Sequence, residues 1–203
     1  PPRSTLFPYT TLFRSKVLTT CFKHDDNKYL KVFQLGGRVA AEMSYHHGDA
    51  SMNSSIVKMS QKYLGSNYYP LLEGKGQFGT RRCKGKNHGS PRYIRTRLNR
   101  VVVRQLYNKL DTPNLPKQFD EGDQVEPRYY LPTLPMCILD HNMGVSYAWA
   151  LRSVARDLDS VCDMMKALSD GKSYKKKLAL NTSNYAGEMK LSHGKVKIGR
   201  AHV

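Results

Sequence analysis

Apolar positions at Val32, Leu35, Val39 and Met43 fall three or four residues apart, the spacing of one helix face, and predict a helix over about 31–44. Gly36 and Gly37 weaken that helix. Tyr45–Asp49 (YHHGD) reads as a tight turn, and Asp49 is a plausible N-cap for a second helix over about 50–64. Its apolar face is Met52, Ile56, Met59 and Tyr63, with Gly65 placed to stop it. Helix, short turn, helix is the outline of a helix-turn-helix unit.

The pattern then changes. Glycines recur at 65, 74, 76, 79, 85 and 89 between short apolar or aromatic runs, which predicts hairpins and loops. Alternation over 93–98 predicts a strand with Ile94, Thr96 and Leu98 on one face and Tyr93, Arg95 and Arg97 on the other. Helical spacing resumes at Val101, Val102, Leu106 and Leu110, followed by an acidic, loop-like stretch over 111–127. Residues 129–139 (YYLPTLPMCIL) predict a buried, proline-interrupted strand. Leu151, Val154, Leu158, Val161, Cys162, Met165 and Leu168 form the clearest amphipathic helix, which Gly171 ends, and a hairpin is expected at 184–196.

Both ends read as foreign. Residues 5–15 (TLFPYTTLFRS) and 198–203 (IGRAHV) correspond to translations of the two common short-read sequencing adapters. Residues 1–15, expected to be disordered, and residues 198–203 are therefore excluded from fold reasoning. The remainder is expected to be an internal piece of a longer gene. The chain carries 33 Lys+Arg against 16 Asp+Glu, a formal charge of +17, or +14 once Arg3, Arg14 and Arg200 are set aside. That excess favours an anionic partner, nucleic acid first and an anionic membrane surface second. No apolar run approaches 18 residues, so no transmembrane helix is expected. Cys21, Cys83, Cys137 and Cys162 are scattered without a CxxC pair, which fits reduced thiols inside a cell better than disulfides or zinc.

The cations are concentrated. Lys75, Arg81, Arg82, Lys84, Lys86, Arg92, Arg95, Arg97, Arg100 and Arg104 stand in an interval with no Asp or Glu, interleaved with glycine and aromatic residues. Glycine lets backbone amides approach phosphate closely, and arginine grips phosphate with two donors. The segment therefore reads as a groove for a phosphate backbone.

The string YHHGDASMNSSIVKMSQKYLGSNYYPLLEGKGQFGTR, followed by SPRYIRTRLN and later by VEPRYYLPTLPM, resembles the breakage-reunion region of type II DNA topoisomerases. Its double His is similar to the eukaryotic, large-virus and T-even-phage forms rather than the His-Pro-His turn of bacterial gyrase. The resemblance covers essentially all of 16–197. It implies an α+β fold: a winged-helix DNA-cleavage domain (helix-turn-helix with β wing) over 16–125, then the start of a mixed α/β tower domain over 126–197. It also implies roles. Tyr93 would be the nucleophile, Arg92 would stabilise the phosphate, and His47 would sit beside the reacting phosphate with His46 next to it. Arg81, Lys84, Lys86, Arg95 and Arg97 would hold DNA. Val145 stands where the family places an apolar wedge between base pairs, although DHNMGVSYAW carries Ser146 and Ala148 in place of the family's glycines.

The chemistry is consistent with these residues. A free phenol titrates near 10, so ionising it at neutral pH costs about 4 kcal/mol, and nearby cations lower that cost. The implied partners are double-stranded DNA, a second copy in a homodimer, and Toprim and ATPase domains in the same chain or on a separate one. Mg²⁺ and ATP are implied as cofactors bound by those other parts, because no GxxxxGK[ST] loop or clustered acidic motif stands here. Asp25 and Asp26, being adjacent, would point apart. No metal site and no membrane association are expected. The compartment is open: nucleus, cytoplasm or nucleoid, or a virus-encoded product. The fragment alone is expected to bind DNA without cutting it. A non-enzymatic winged-helix regulator is the alternative; it would share the basic groove but have no need of Tyr93, Arg92 and His47.

Overall fold

The computed structural model describes residues 8–24, 27–63, 65–146, 149–182, 189–192 and 195–198. Three helices and three strands make the first unit, in the order α1 (Pro8–Lys23), β1 (Leu30–Lys31), α2 (Val32–Glu42), α3 (Asp49–Ser60), β2 (Leu72–Lys75) and β3 (Arg95–Leu98). The strands form one antiparallel sheet in the order β1-β3-β2, the winged-helix arrangement. The alternation expected around β3 holds: Ile94 and Thr96 are buried and Arg95 is exposed.

The core lies between helices and sheet. Val17 and Leu18 of α1, Val32, Leu35 and Val39 of α2, and Met52, Ile56 and Met59 of α3 close on Leu72, Phe78 and Ile94. Gly36, a weak point for an isolated helix, faces the Asn53 side chain of α3. A Cβ there would stand 2.6 Å from Asn53 Oδ1. A buried polar link also joins the layers. Ser60 Oγ and Thr96 Oγ1 lie 2.8 Å apart, and the Thr96 hydroxyl donates to the Glu73 carbonyl at 3.1 Å.

Residues 125–130 pack back on α1. Lys16 Nζ donates to Glu126 Oε2 at 2.9 Å and to the Met43 carbonyl at 2.6 Å, and both side chains of the pair are almost fully buried. Tyr130 joins Phe22 and Tyr107 in an edge-to-face cluster and shares a 2.7 Å hydrogen bond with the Thr19 hydroxyl. The described chain then runs through α4 (Arg100–Leu106), the short hairpin β4 (Phe119–Asp120) and β5 (Asp123–Gln124), and α5 (Met136–Leu139). The hairpin β6 (Asn142–Ser146) and β7 (Trp149–Ser153), α6 (Leu158–Ser169), and the hairpin β8 (Met189–Ser192) and β9 (Lys195–Ile198) complete it.

Several expectations are corrected. Residues 8–15 are not disordered but helical: proline is tolerated in a first helical turn, and no glycine or further proline interrupts Tyr9–Lys23. The N-cap of α3 is Gly48, with Asp49 as its first residue, and α3 ends at Ser60 rather than near Gly65 because Gln61 turns into extended backbone. Residues 129–135 form no strand. Prolines 132 and 135 lack the amide a sheet ladder needs, Leu131 is exposed, and a short helix follows at Met136. The helix expected from Leu151 starts at Leu158, since Trp149–Ser153 is paired with β6 in register Val145↔Ala150 and Asp157 caps the helix by accepting from the Ser160 amide. Gly171, at φ +70, follows its end as expected. The last strand pair joins 189–192 to 195–198; residues 184–188 lie outside the described residues, as do Asp25, Asp26 and Ala148.

Two outcomes test this packing. Lys16→Met leaves the Glu126 carboxylate buried without its partner, so urea denaturation should show a loss of about 3–5 kcal/mol. Burial pushes the Tyr130 phenol up to about 12. A raised folded value adds stability that is fully present below about pH 10 and is lost as pH rises toward 12. Wild-type stability should therefore fall by about 2–3 kcal/mol over that window, and Tyr130→Phe should flatten the fall.

Candidate nucleic-acid interface

Tyr93 sits in a turn just before β3, not on the strand, and is 79% exposed. The turn is built to hold it outward. The Tyr93 and Ile94 amides both donate to the Ser90 carbonyl, at 2.9 and 3.3 Å. The first two amides of α2, which have no partner inside their own helix, donate outward: Val32 to the Ile94 carbonyl and Phe33 to the Pro91 carbonyl, each at 3.1 Å. Ile94 anchors the turn from below at 4% exposure. Gly76 and Gly89 leave room for it, since a Cβ at either would stand 3.3 or 3.0 Å from Ile94 Cγ2.

A second loop carries cations. After Phe78 the chain makes a 3-10 turn at Arg81–Cys83, and Arg81, Arg82, Lys84 and Lys86 are all exposed. The loop is closed on itself. Gly85 N donates to the Thr80 carbonyl at 2.9 Å, Thr80 N to Asn87 Oδ1 at 2.9 Å, and Asn87 Nδ2 to the Thr80 hydroxyl at 3.2 Å. Gln61, just past α3 and 6% exposed, spans both sides of it. Its Nε2 donates to the Phe78 carbonyl at 2.9 Å and to the Gly85 carbonyl at 3.1 Å. Sequence patterning does not single out Gln61, whose only signal is a polar residue where an apolar helix face ends.

The other expected residues divide. Arg92 and Arg95 are exposed. Arg97 is not free: it chelates Glu73 Oε2 through Nε at 2.9 Å and Nη2 at 2.8 Å, and lies 4.4 Å over the Tyr29 ring. Tyr29 completes the lock by donating to Glu73 Oε1 at 2.6 Å. This bond, with Arg97 beside it, holds the Glu73 carboxyl below its ordinary range, and the same bond pushes the Tyr29 phenol up against the opposing pull of Arg97. Arg97 is thus ion-paired within the sheet. His46 and His47 are both exposed in the turn before α3. His46 Nε2 stands 3.9 Å from Asp120 Oδ2 and from Glu121 Oε1, on or beside the β4–β5 hairpin. The His47 ring packs against Tyr45 and Phe13 at 5.6 and 5.9 Å, and among the described contacts none joins it to Tyr93. Val145 lies on β6 near the hairpin tip. Among the described residues no group of three or more His, Cys, Asp or Glu side chains is placed to hold a metal ion.

A winged helix that presents an outward tyrosine and a preformed cationic loop has the features of a DNA-binding domain. The comparisons make the class specific. Residues 14–197 match the family model for the A-type subunits of DNA gyrase/topoisomerase IV, and the chain belongs to that family. It is 39% identical over 186 residues to a DNA topoisomerase 2 of African swine fever virus, covering 90% of this chain and 15% of that protein. It is 42% identical over 137 residues to the DNA topoisomerase 2 of Drosophila melanogaster, covering 68% of this chain and 9% of that one. Among solved structures it superposes on the Plasmodium falciparum topoisomerase II DNA-binding, cleavage and re-ligation domain with a TM-score of 0.80 at 31% identity. That match covers 91% of this chain and 25% of the other. The chain thus spans a small part of the length of these relatives.

Gln61→Leu removes the donor shared by two carbonyls at a buried site. It should cost about 1–3 kcal/mol in denaturation and make the chain cleavable by trypsin between Arg81 and Lys86.

Proposed function

We propose that this chain is the DNA-binding and strand-breaking part of a type II DNA topoisomerase, with Tyr93 as the nucleophile. The observation that carries the reading is the outward phenol on a turn clamped to the α2 N-terminus, with exposed Arg92 next to it. The Tyr93 oxygen attacks a backbone phosphorus as the phosphorus–O3′ bond breaks, leaving a 5′-phosphotyrosine and a free 3′ hydroxyl. One ester replaces another, so the bond is stored and the reverse attack reseals the strand. Arg92 stabilises the charge that builds on the phosphoryl oxygens, where fixed cations act most strongly. His47 donates a hydrogen bond to the phosphate or accepts the phenolic proton, directly or through water.

Arg81, Lys84, Lys86, Arg95 and His46 hold the duplex backbone on this reading, and Val145 on its hairpin enters between base pairs, unstacking one step to bend the DNA. Residues 16–125 act as the cleavage domain and 126–197 as the start of the tower. Two copies in a homodimer bring one tyrosine to each strand of an antiparallel duplex. ATP and Mg²⁺ belong to ATPase and Toprim domains of the same chain or of a separate one, and the whole enzyme works on intracellular or viral DNA.

The test is a chimera in which residues 16–197 replace the matching segment of the African swine fever virus enzyme. The chimera should relax supercoiled plasmid and form a covalent adduct trapped by detergent. Tyr93→Phe should abolish the adduct while leaving duplex affinity within about twofold. An adduct that survives this substitution would exclude Tyr93. In addition, Arg92→Ala should lower the cleavage rate by roughly 10²–10³, the scale for removing one transition-state donor.

A further inference from the structure

The outer face of the β1-β3-β2 sheet divides into two halves with opposite electrostatics. In one half, Arg97 on β3 stands opposite Glu73 on β2, with Tyr29 just before β1, and every charge is met. In the other half, one step toward Tyr93, the register places Lys31 of β1 opposite Arg95 of β3, and Arg95 opposite Lys75 of β2. Three cations therefore form a row across three adjacent strands, spaced about 4.8 Å apart at the backbone. Like charges directly opposite across strands destabilise a sheet. Arg95 and Lys75 are exposed and Lys31 is half-buried. The nearest carboxylate on that face, Glu73, is already committed to Tyr29 and Arg97. Lys75 gains only a 5.7 Å approach to the Tyr29 ring.

We infer that Lys31, Arg95 and Lys75 form a phosphate-binding row for the DNA backbone, which this sheet face leaves uncompensated until DNA arrives. Arg95 follows Tyr93 by two residues, a span of at most roughly 7 Å along the chain. The row therefore engages phosphates beside the one Tyr93 attacks, and the arriving backbone relieves the mutual repulsion of the three cations. Lys31 lies outside the cationic run read from the sequence, and Lys75, within that run, has no role implied by the family resemblance. This inference rests on the DNA-binding reading above.

The test uses the whole chain, a short blunt duplex, and Lys31→Gln, Arg95→Gln and Lys75→Gln singly and together. Wild type should bind with an affinity that falls steeply with salt. The triple variant should lose roughly 2.7 units from the slope of log affinity against log salt, since each of the three phosphate contacts contributes about 0.9. The same variant should gain thermal stability at low salt, because it removes like-charge repulsion. Arg97→Gln is the contrast: it should lose stability and keep the slope. An unchanged slope in the triple variant overturns the inference, as does a loss of stability like that of Arg97→Gln. Absence of salt-dependent duplex binding by wild type overturns the DNA-binding reading itself and this inference with it.

Discussion

The site depends on a pair of backbone hydrogen bonds. Helix α2 begins with amides that its own turns cannot satisfy, and the carbonyls of Pro91 and Ile94 accept them. That contact bridges two segments far apart in the chain and decides where Tyr93 stands. With Ile94 buried beneath and Ser90 closing the turn, the phenol has no route into the core. Its reach into solvent is a property of the backbone around it rather than of the ring.

Charge is distributed with the same economy. Of the two arginines that alternate outward on β3, Arg97 is tied to Glu73 and stacked on Tyr29, while Arg95 is left open among lysines. Cross-strand register alone separates them, because β2 places an acid opposite one and a base opposite the other. Near the two histidines, Asp120 and Glu121 bring acid to His46, so the two imidazoles of one turn face different surroundings.

Local order was legible in the sequence and non-local pairing was not. The faces of α2 and α3 followed from apolar spacing, and the outward alternation of β3 from its charged positions, because each is decided within a few residues. Leu151 and Val154 carry helical spacing too, yet 149–153 is a strand, since pairing with 142–146 satisfies its backbone and spacing cannot see that partner. The same blindness hid Arg97's commitment to Glu73, 24 positions away, and Gln61's hold on two carbonyls 17 and 24 positions on. Tyr93, Arg92 and the cationic loop were legible because they lie in one short, unusual run. The run placed Tyr93 on a strand face; the turn that holds it outward and its helix-end clamp did not appear until the fold was in view.

The cationic loop closes so tightly that its two glycines touch. A Cβ on Gly79 would stand 2.6 Å from the Gly85 backbone, and both glycines hold positive φ. The path of the loop is therefore written mostly in residues that bear no charge, Lys84 at φ +50 being a cation that shares in it. Outward positions such as Arg82 can be exchanged to retune grip on a polyanion without re-routing the chain, whereas a single methyl group at the neck would force the ring open.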